Sequence, residues 1–181
     1  MPDKITRRSA LAATYQIGSF GTGAGLTIVE RHPLTLLDIG GTPSERELGY
    51  AVPTVPNTVT YVATRRICWL SPKRWLLIES DPDCNVPTDI CIDVSSGRTA
   101  IRLQGPRARN VLAKGCPLDL HPRQFLINHC AQSKIGSHNV LIDHFENDGF
   151  DIYISRSFAQ SFWQWLLKAS SEYGYRVLPI I

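Results

Sequence analysis

No run approaching 18 apolar residues occurs in this 181-residue sequence, so no segment is expected to span a membrane. No CxxC pair occurs, and the five cysteines, at 68, 84, 91, 116 and 130, are odd in number. That argues against a disulfide framework and for reduced thiols in the cytoplasm. Basic residues never gather into a stripe: "RR" at 7–8 and 65–66 are pairs, and the formal charge is only +3. A nucleic-acid partner is therefore not expected. GxSxG, HExxH and EF-hand loops are all missing. "FGTGAG" lacks the preceding strand, the following helix and the lysine of a phosphate loop, and "DIGGTPSE" has no lysine either. Two arginines before "SALAA" hint at an export signal, but Tyr15, Gln16, Gly18 and Ser19 interrupt any apolar core.

What remains is an ordinary globular composition, 43% apolar and 19% charged, with 12 Pro and 13 Gly. The length suits a single compact domain, or two small halves sharing one core, and neither needs a metal or disulfide to fold. Residues 1–25 read as an extended, Gly-rich arm, ordered only against a partner. "LTIVERHPLTLLDIGG" reads as two strands split at Pro33, and "TPSERELGYAV" as a short helix capped by Thr42 or Ser44. Ile67–Leu70 and Trp75–Glu79 make a hairpin around "SPK". "SDPDCNVPTD" is a loop by composition.

The later segment is written more plainly. In "RTAIRLQGPRARNVLAKG", Ile101 and Leu103 alternate with Arg102 and Gln104, which predicts a strand. Gly105 and Pro106 then open a helix with Ala108, Val111 and Leu112 on one face and Gly115 as a left-handed stop. "CAQSKIG" and "NVLIDHF" are strands, and "ENDG" turns into "FDIYISR". Ser157 and Gln160 form a capping box for a helix whose face carries Phe158, Phe162, Trp165, Leu166 and Ala169. Trp163 and Trp165 cannot share that face, so one of them should emerge toward a partner. "YRVLPI" closes the chain as a strand. Strand, helix and hairpin thus occur twice, which predicts an α+β fold of two similar halves, 26–92 and 93–181. Each half is an antiparallel-rich sheet with helices packed on it.

The densest chemistry lies in "AKGCPLDLHP", with Cys116, Asp119 and His121, followed by His129 and Cys130. Zinc usually takes four ligands in closely spaced pairs. Adjacent His129 and Cys130 on a strand point to opposite faces and cannot easily share an ion. A nucleophilic thiol needs a base within reach and a lowered pKa. Cys116 follows a helix C-terminus, whose dipole acts the wrong way. A tight turn burying Leu118 and Leu120 fits better, with Asp119, His121 and Pro122 shaping it. Arg98 and Arg102 are read as solvated or paired with acids rather than as an anion site.

"DVSSGRTAIRLQGPRARNVLAKGCPLDLHPRQF", "CAQSKIG" and "FDIYISRSFAQSFWQWLLKASSEYG" resemble the gamma subunit family of heterotetrameric sarcosine oxidases, as do "RSALA" and "ICWLSPKRWLLI". The related small subunit of N-methylglutamate dehydrogenase is a close second. The resemblance implies a fold like part of the folate-binding aminomethyltransferase of the glycine cleavage system. It also implies a non-catalytic, structural role beside alpha, beta and delta subunits. Such a complex demethylates sarcosine to glycine, with hydrogen peroxide and, given tetrahydrofolate, 5,10-methylenetetrahydrofolate as products. FAD, FMN, NAD, zinc and tetrahydrofolate are expected on the other subunits. No catalytic, cofactor-binding or metal-binding residue is carried over to this chain. The amine stays open among sarcosine, N-methylglutamate and other N-methyl amines, and a stand-alone folate-binding protein is the alternative of another class.

Overall fold

The structure, a computed structural model, describes residues 7–23, 25–42, 48–80 and 91–181. Its strands are β1 (Gly18–Phe20), β2 (Thr27–Arg31), β3 (Thr35–Gly40), β4 (Val59–Val62), β5 (Arg65–Ser71) and β6 (Arg74–Glu79). They continue with β7 (Cys91–Asp93), β8 (Arg98–Gln104), β9 (His129–Ile135), β10 (His138–Glu146), β11 (Gly149–Ser155) and β12 (Tyr175–Val177). Helix α1 is Ala108–Ala113 and helix α2 is Ala159–Ser170. Residues 43–47 of the helix expected within 42–52, and the loop around Cys84, lie outside the described residues.

Two sheets form. One has seven strands in the order β1-β12-β2-β8-β11-β10-β9, the other five in the order β4-β5-β6-β3-β7. Among the described strands, only β12 and β2 run parallel. The turns do what their residues require. Lys73, at φ 61°, reverses the chain between β5 and β6, and Asp148, at φ 55°, does the same between β10 and β11. The two halves trace one path, β4-β5-β6-β3 in one sheet and β9-β10-β11-β8 in the other. The expected duplication is thus a duplication of topology.

One crossing between the halves left no mark in the sequence. β2 leads into β3 yet pairs with β8, and β7 leads into β8 yet pairs with β3. Each sheet is extended by the strand that precedes the other half.

Period-2 alternation sorts the strands into three buried layers. Ile101, Leu103, Val140, Ile142, Phe150, Ile152 and Ile154 face α1 and α2, meeting Val111, Leu112, Phe162, Trp163 and Leu166. The opposite face of the same sheet offers Ala100, Cys130, Leu141 and Tyr153 to Leu36, Val59, Cys68, Leu70, Leu76 and Ile78 of the five-stranded sheet. The far side of the five-stranded sheet buries Leu37, Ile39, Ile67, Trp75 and Leu77 beneath Leu48 and Tyr50. Both helices described lie on the seven-stranded sheet.

Three local expectations are corrected. Residues 7–23 do not wait for a partner to order them. Leu11 is fully buried, Tyr15 stacks on Trp163 at 5.1 Å, and β1 pairs with β12. The Tyr15 hydroxyl donates to the Leu178 carbonyl at 2.6 Å and accepts from the Glu30 amide at 3.1 Å. A capping box does not open α2, because a 3-10 turn over Arg156–Phe158 precedes it and Phe158 occupies the cap without a side-chain bond. The buried face is Ala159, Phe162, Trp163, Leu166 and Ser170, which leaves Phe158 55% exposed. Nor is Gly115 a left-handed stop. It is absent from the positive-φ residues, and a Cβ there would lie 2.6 Å from Trp165 Cζ2 and 2.8 Å from the Gly136 amide nitrogen.

Trp165 is therefore the half-buried tryptophan of the pair, and it lies over Gly115 and Gly136 within its own chain. Gly115→Ala is expected to cost about 2 kcal/mol, the usual scale of an overpacked contact against backbone. A urea midpoint indistinguishable from wild type would show that Trp165 yields freely.

Candidate functional site

The Cys116–His121 corner follows α1. Cys116 is buried, with Sγ 3.8 Å from Ser133 Oγ, and the backbone amide of Cys116 donates to the Leu112 carbonyl. Asp119 and His121 are not aimed at the thiol. The Asp119 carboxylate accepts from the His121 amide at 2.9 Å, and His121 Nδ1 accepts from the Arg123 amide at 3.2 Å. Leu120 is buried, Leu118 packs partly, and Arg109 of α1 donates to the Leu120 carbonyl at 2.5 Å. A second Arg109 nitrogen donates to His144 Nε2 at 3.0 Å, which requires a neutral ring with its proton on Nδ1. Burial chiefly lowers the His144 pKa, and the nearby Arg109 charge adds to this, which favours that neutral form. His129 and Cys130 part as strand neighbours must. His129 meets the Phe125 ring edge-on, while Cys130 is sealed between the sheets with Sγ 3.4 Å from the Trp69 carbonyl. Among the described residues, no group of three metal-ligating side chains converges. The corner is a turn riveted to the sheet by Arg109.

The strongest polar constellation lies between the sheets. Asp143 of β10 and Asp151 of β11 are direct cross-strand neighbours, both with no solvent exposure. Two like charges so placed repel and are individually expensive to bury. Three arginines offset them. Arg66 of β5 clamps Asp143 through two bonds of 2.6 Å, joining one sheet to the other. Arg102 binds both Asp151 oxygens at 2.7 and 2.8 Å from the neighbouring strand, and Arg31 of β2 binds the same carboxylate at 2.7 Å. Burial opposes the Arg66 charge, but its bonds to Asp143 outweigh this and hold the guanidinium protonated.

Tyr153 lies in the same layer with its hydroxyl unpaired, and burial, then Asp151 and Asp143, pushes its pKa well above the ordinary phenol value. At one edge the cluster opens into a cleft of about 540 Å³. Arg102 lies over the Phe145 ring there at 3.9 Å, and Tyr61 and Ile127 form an exposed rim. Both carboxylates are bonded to guanidiniums. The arrangement bolts two sheets together.

Sequence reasoning placed Arg102 correctly as a candidate for pairing with an acid but missed Arg31, Arg66, Asp143 and Asp151. A signal existed: "NVLIDHF" and "FDIYIS" each carry one aspartate inside an apolar strand run. A carboxylate there must find a cation.

A further carboxylate, Glu30, is 1% exposed and accepts from Ser9 Oγ. Burial raises its pKa above 4.5, against smaller opposing effects of Ser9 and Arg156. Above 4.5 the native state then holds this proton longer than the unfolded chain does, so Glu30 lowers stability as pH rises through that window. Relative to wild type, Glu30→Gln is expected to gain stability as pH climbs from about 4.5 toward 7, compared by urea midpoints. A difference that stays flat with pH would contradict the shift.

The fold is that of the aminomethyltransferases. The glycine cleavage aminomethyltransferase T of Bartonella henselae superposes with a TM-score of 0.60 over 88% of this chain and 48% of its own, at 18% identity. Within that fold the relationship narrows. The sequence profile of the sarcosine oxidase gamma subunit family matches residues 43–172, and the chain belongs to that family. The gamma subunit of Corynebacterium sp. strain U-96 is 30% identical over 122 residues, which span 62% of this chain and 60% of that subunit. That of strain P-1 is 27% identical over 149 residues, spanning 77% and 70%. A chain of the heterotetrameric sarcosine oxidase of strain U-96, solved with pyrrole 2-carboxylate, matches with a TM-score of 0.79 and 27% identity, over 92% of this chain and 96% of that one. No helix among the described residues is long and apolar enough to cross a membrane.

Proposed function

We propose that this chain is the gamma subunit of a heterotetrameric complex of the sarcosine oxidase type, and that it serves assembly rather than chemistry. The observation that carries the reading is the near end-to-end match with a chain of one such complex. Its partners would be alpha, beta and delta subunits, which would hold FAD, FMN, NAD, zinc and tetrahydrofolate. The complex would oxidatively demethylate sarcosine to glycine, forming hydrogen peroxide and, with tetrahydrofolate, 5,10-methylenetetrahydrofolate. The inter-sheet carboxylates support a structural role, because each is clamped by arginine. The thiols support it too: Cys68, Cys116 and Cys130 are all buried.

Co-expression with the candidate large subunits, followed by gel filtration, tests this directly. The chain is expected to co-elute with them, and complexes lacking it to assemble poorly. A chain that elutes as a monomer in their presence would sink the reading. Saturable micromolar binding of tetrahydrofolate by the isolated chain would instead support an independent folate protein.

A further inference from the structure

A second cavity, of about 300 Å³, lies where the N-terminal segment, the end of β2, the start of β8 and the residue after β11 meet. Its wall carries five arginines, at 7, 8, 31, 98 and 156, against a single carboxylate, Glu30. Two of the five have acidic partners elsewhere. Arg31 is bound to Asp151, and Arg7 lies 3.7 Å from the exposed Asp93. Arg156 donates to the Arg8 carbonyl at 2.7 Å, and its charge also acts on Glu30.

Arg98 stands apart. It is half-buried and has no hydrogen bond or ion pair among the described residues. Burial lowers its pKa, against the attraction of Asp38, a carboxylate already bonded to Arg74. The field inside is positive enough to act on its own lining, since Arg156 and Arg7 add to burial in lowering the pKa of His32.

A desolvated guanidinium with no carboxylate bonded to it is costly, and its planar fork fits the two oxygens of a carboxylate or phosphate. The cavity sits at the small end of the range for small-molecule pockets. We propose that it binds a small oxyanion, the carboxylate or phosphate group of a metabolite-sized ligand. Arg98 is its principal donor, and Arg156 and Arg8 supply the surrounding charge. The site shares Arg31 with the clamp on Asp151.

Calorimetric titration and thermal melting of the full chain test this with two probes, inorganic phosphate and succinate, against sodium chloride at matched ionic strength. At least one probe is expected to raise Tm by about 3 °C when present at roughly ten times its Kd, with no such shift from chloride. A response to phosphate alone assigns a phosphorylated ligand, and a response to succinate alone a carboxylic acid. Arg98→Gln is expected to weaken the effective probe about tenfold or more, the scale of losing one charge-assisted pair, without lowering the Tm of the free protein. Absence of binding by either probe, or equal binding by the variant, overturns the proposal. Should Arg98→Gln fail to fold, Arg156→Gln removes a half-buried charge from the same wall. A severalfold loss of affinity there supports the site, and unchanged affinity counts against it.

Discussion

Asp151→Ala is expected to unfold at a much lower urea concentration than the wild type, with a loss of about 4 kcal/mol. The reason lies in what is left behind. Asp151 is fully buried and neutralises Arg31 and Arg102, whose side chains are only 10% and 19% exposed. Removing the carboxylate strands two guanidiniums in the layer between the sheets, one of them facing the Phe145 ring at 3.9 Å. Asp143 is the cross-strand neighbour, but its oxygens are already taken by Arg66. It cannot serve all three arginines. Asp151→Asn, which keeps the volume and one acceptor oxygen, is expected to lose roughly half as much. A loss below about 1 kcal/mol for the alanine variant would mean that water replaces the carboxylate at little cost.

Neither 26–92 nor 93–181 is expected to fold when produced alone, even though each carries one copy of the duplicated path. Produced alone, the first fragment has β2 but lacks β8, the strand to which β2 is bonded along Thr27–Arg31. The second lacks β2, so β12 loses its inner neighbour, and the cut divides β7, leaving Cys91 and Ile92 with β3 in the first fragment. The core between the sheets, including Cys68, Leu70, Leu141 and Tyr153, is exposed in either fragment. Produced together, with the first fragment extended back to residue 1 so that β1 and Leu11 are included, the fragments are expected to recover a cooperative transition, because every missing strand is then supplied by the other piece. Near-ultraviolet circular dichroism of each fragment and of the pair checks this. A cooperative melt from 93–181 alone would show that the crossed strands are an accessory.

What the sequence disclosed follows from range. Alternation over Arg98–Gln104, the turn residues of "SPK" and "ENDG", and the apolar strands around them are local signals, and each element stands where they place it. The α+β class and the duplicated path follow from the same signals. The crossing of β2 and β7 is a choice between two equally apolar neighbours, decided by how whole sheets pack, and no residue in "LTIVERH" records it. Gly115 misled for a related reason. A glycine after a helix usually signals a left-handed turn, but here it makes room for Trp165, fifty positions further along.

The aspartates at 143 and 151 were visible as acids inside apolar runs. Their partners were not, because Arg31 and Arg66 come from strands far away in sequence. The Cys116 corner was legible as a turn, since proline, leucine and a helix end are all local.

The crossed strands also bear on the order in which the molecule takes shape as it is synthesised. The five-stranded sheet has all its strands once residue 93 has been made, but β2 emerges early and must wait for β8. It then flanks β12, whose last residue is Val177, almost at the end of the chain. An early hydrophobic strand is thus held open while most of the protein is still on the ribosome. Chaperones that shield nascent apolar segments would find a target in Thr27–Arg31 until β8 is made.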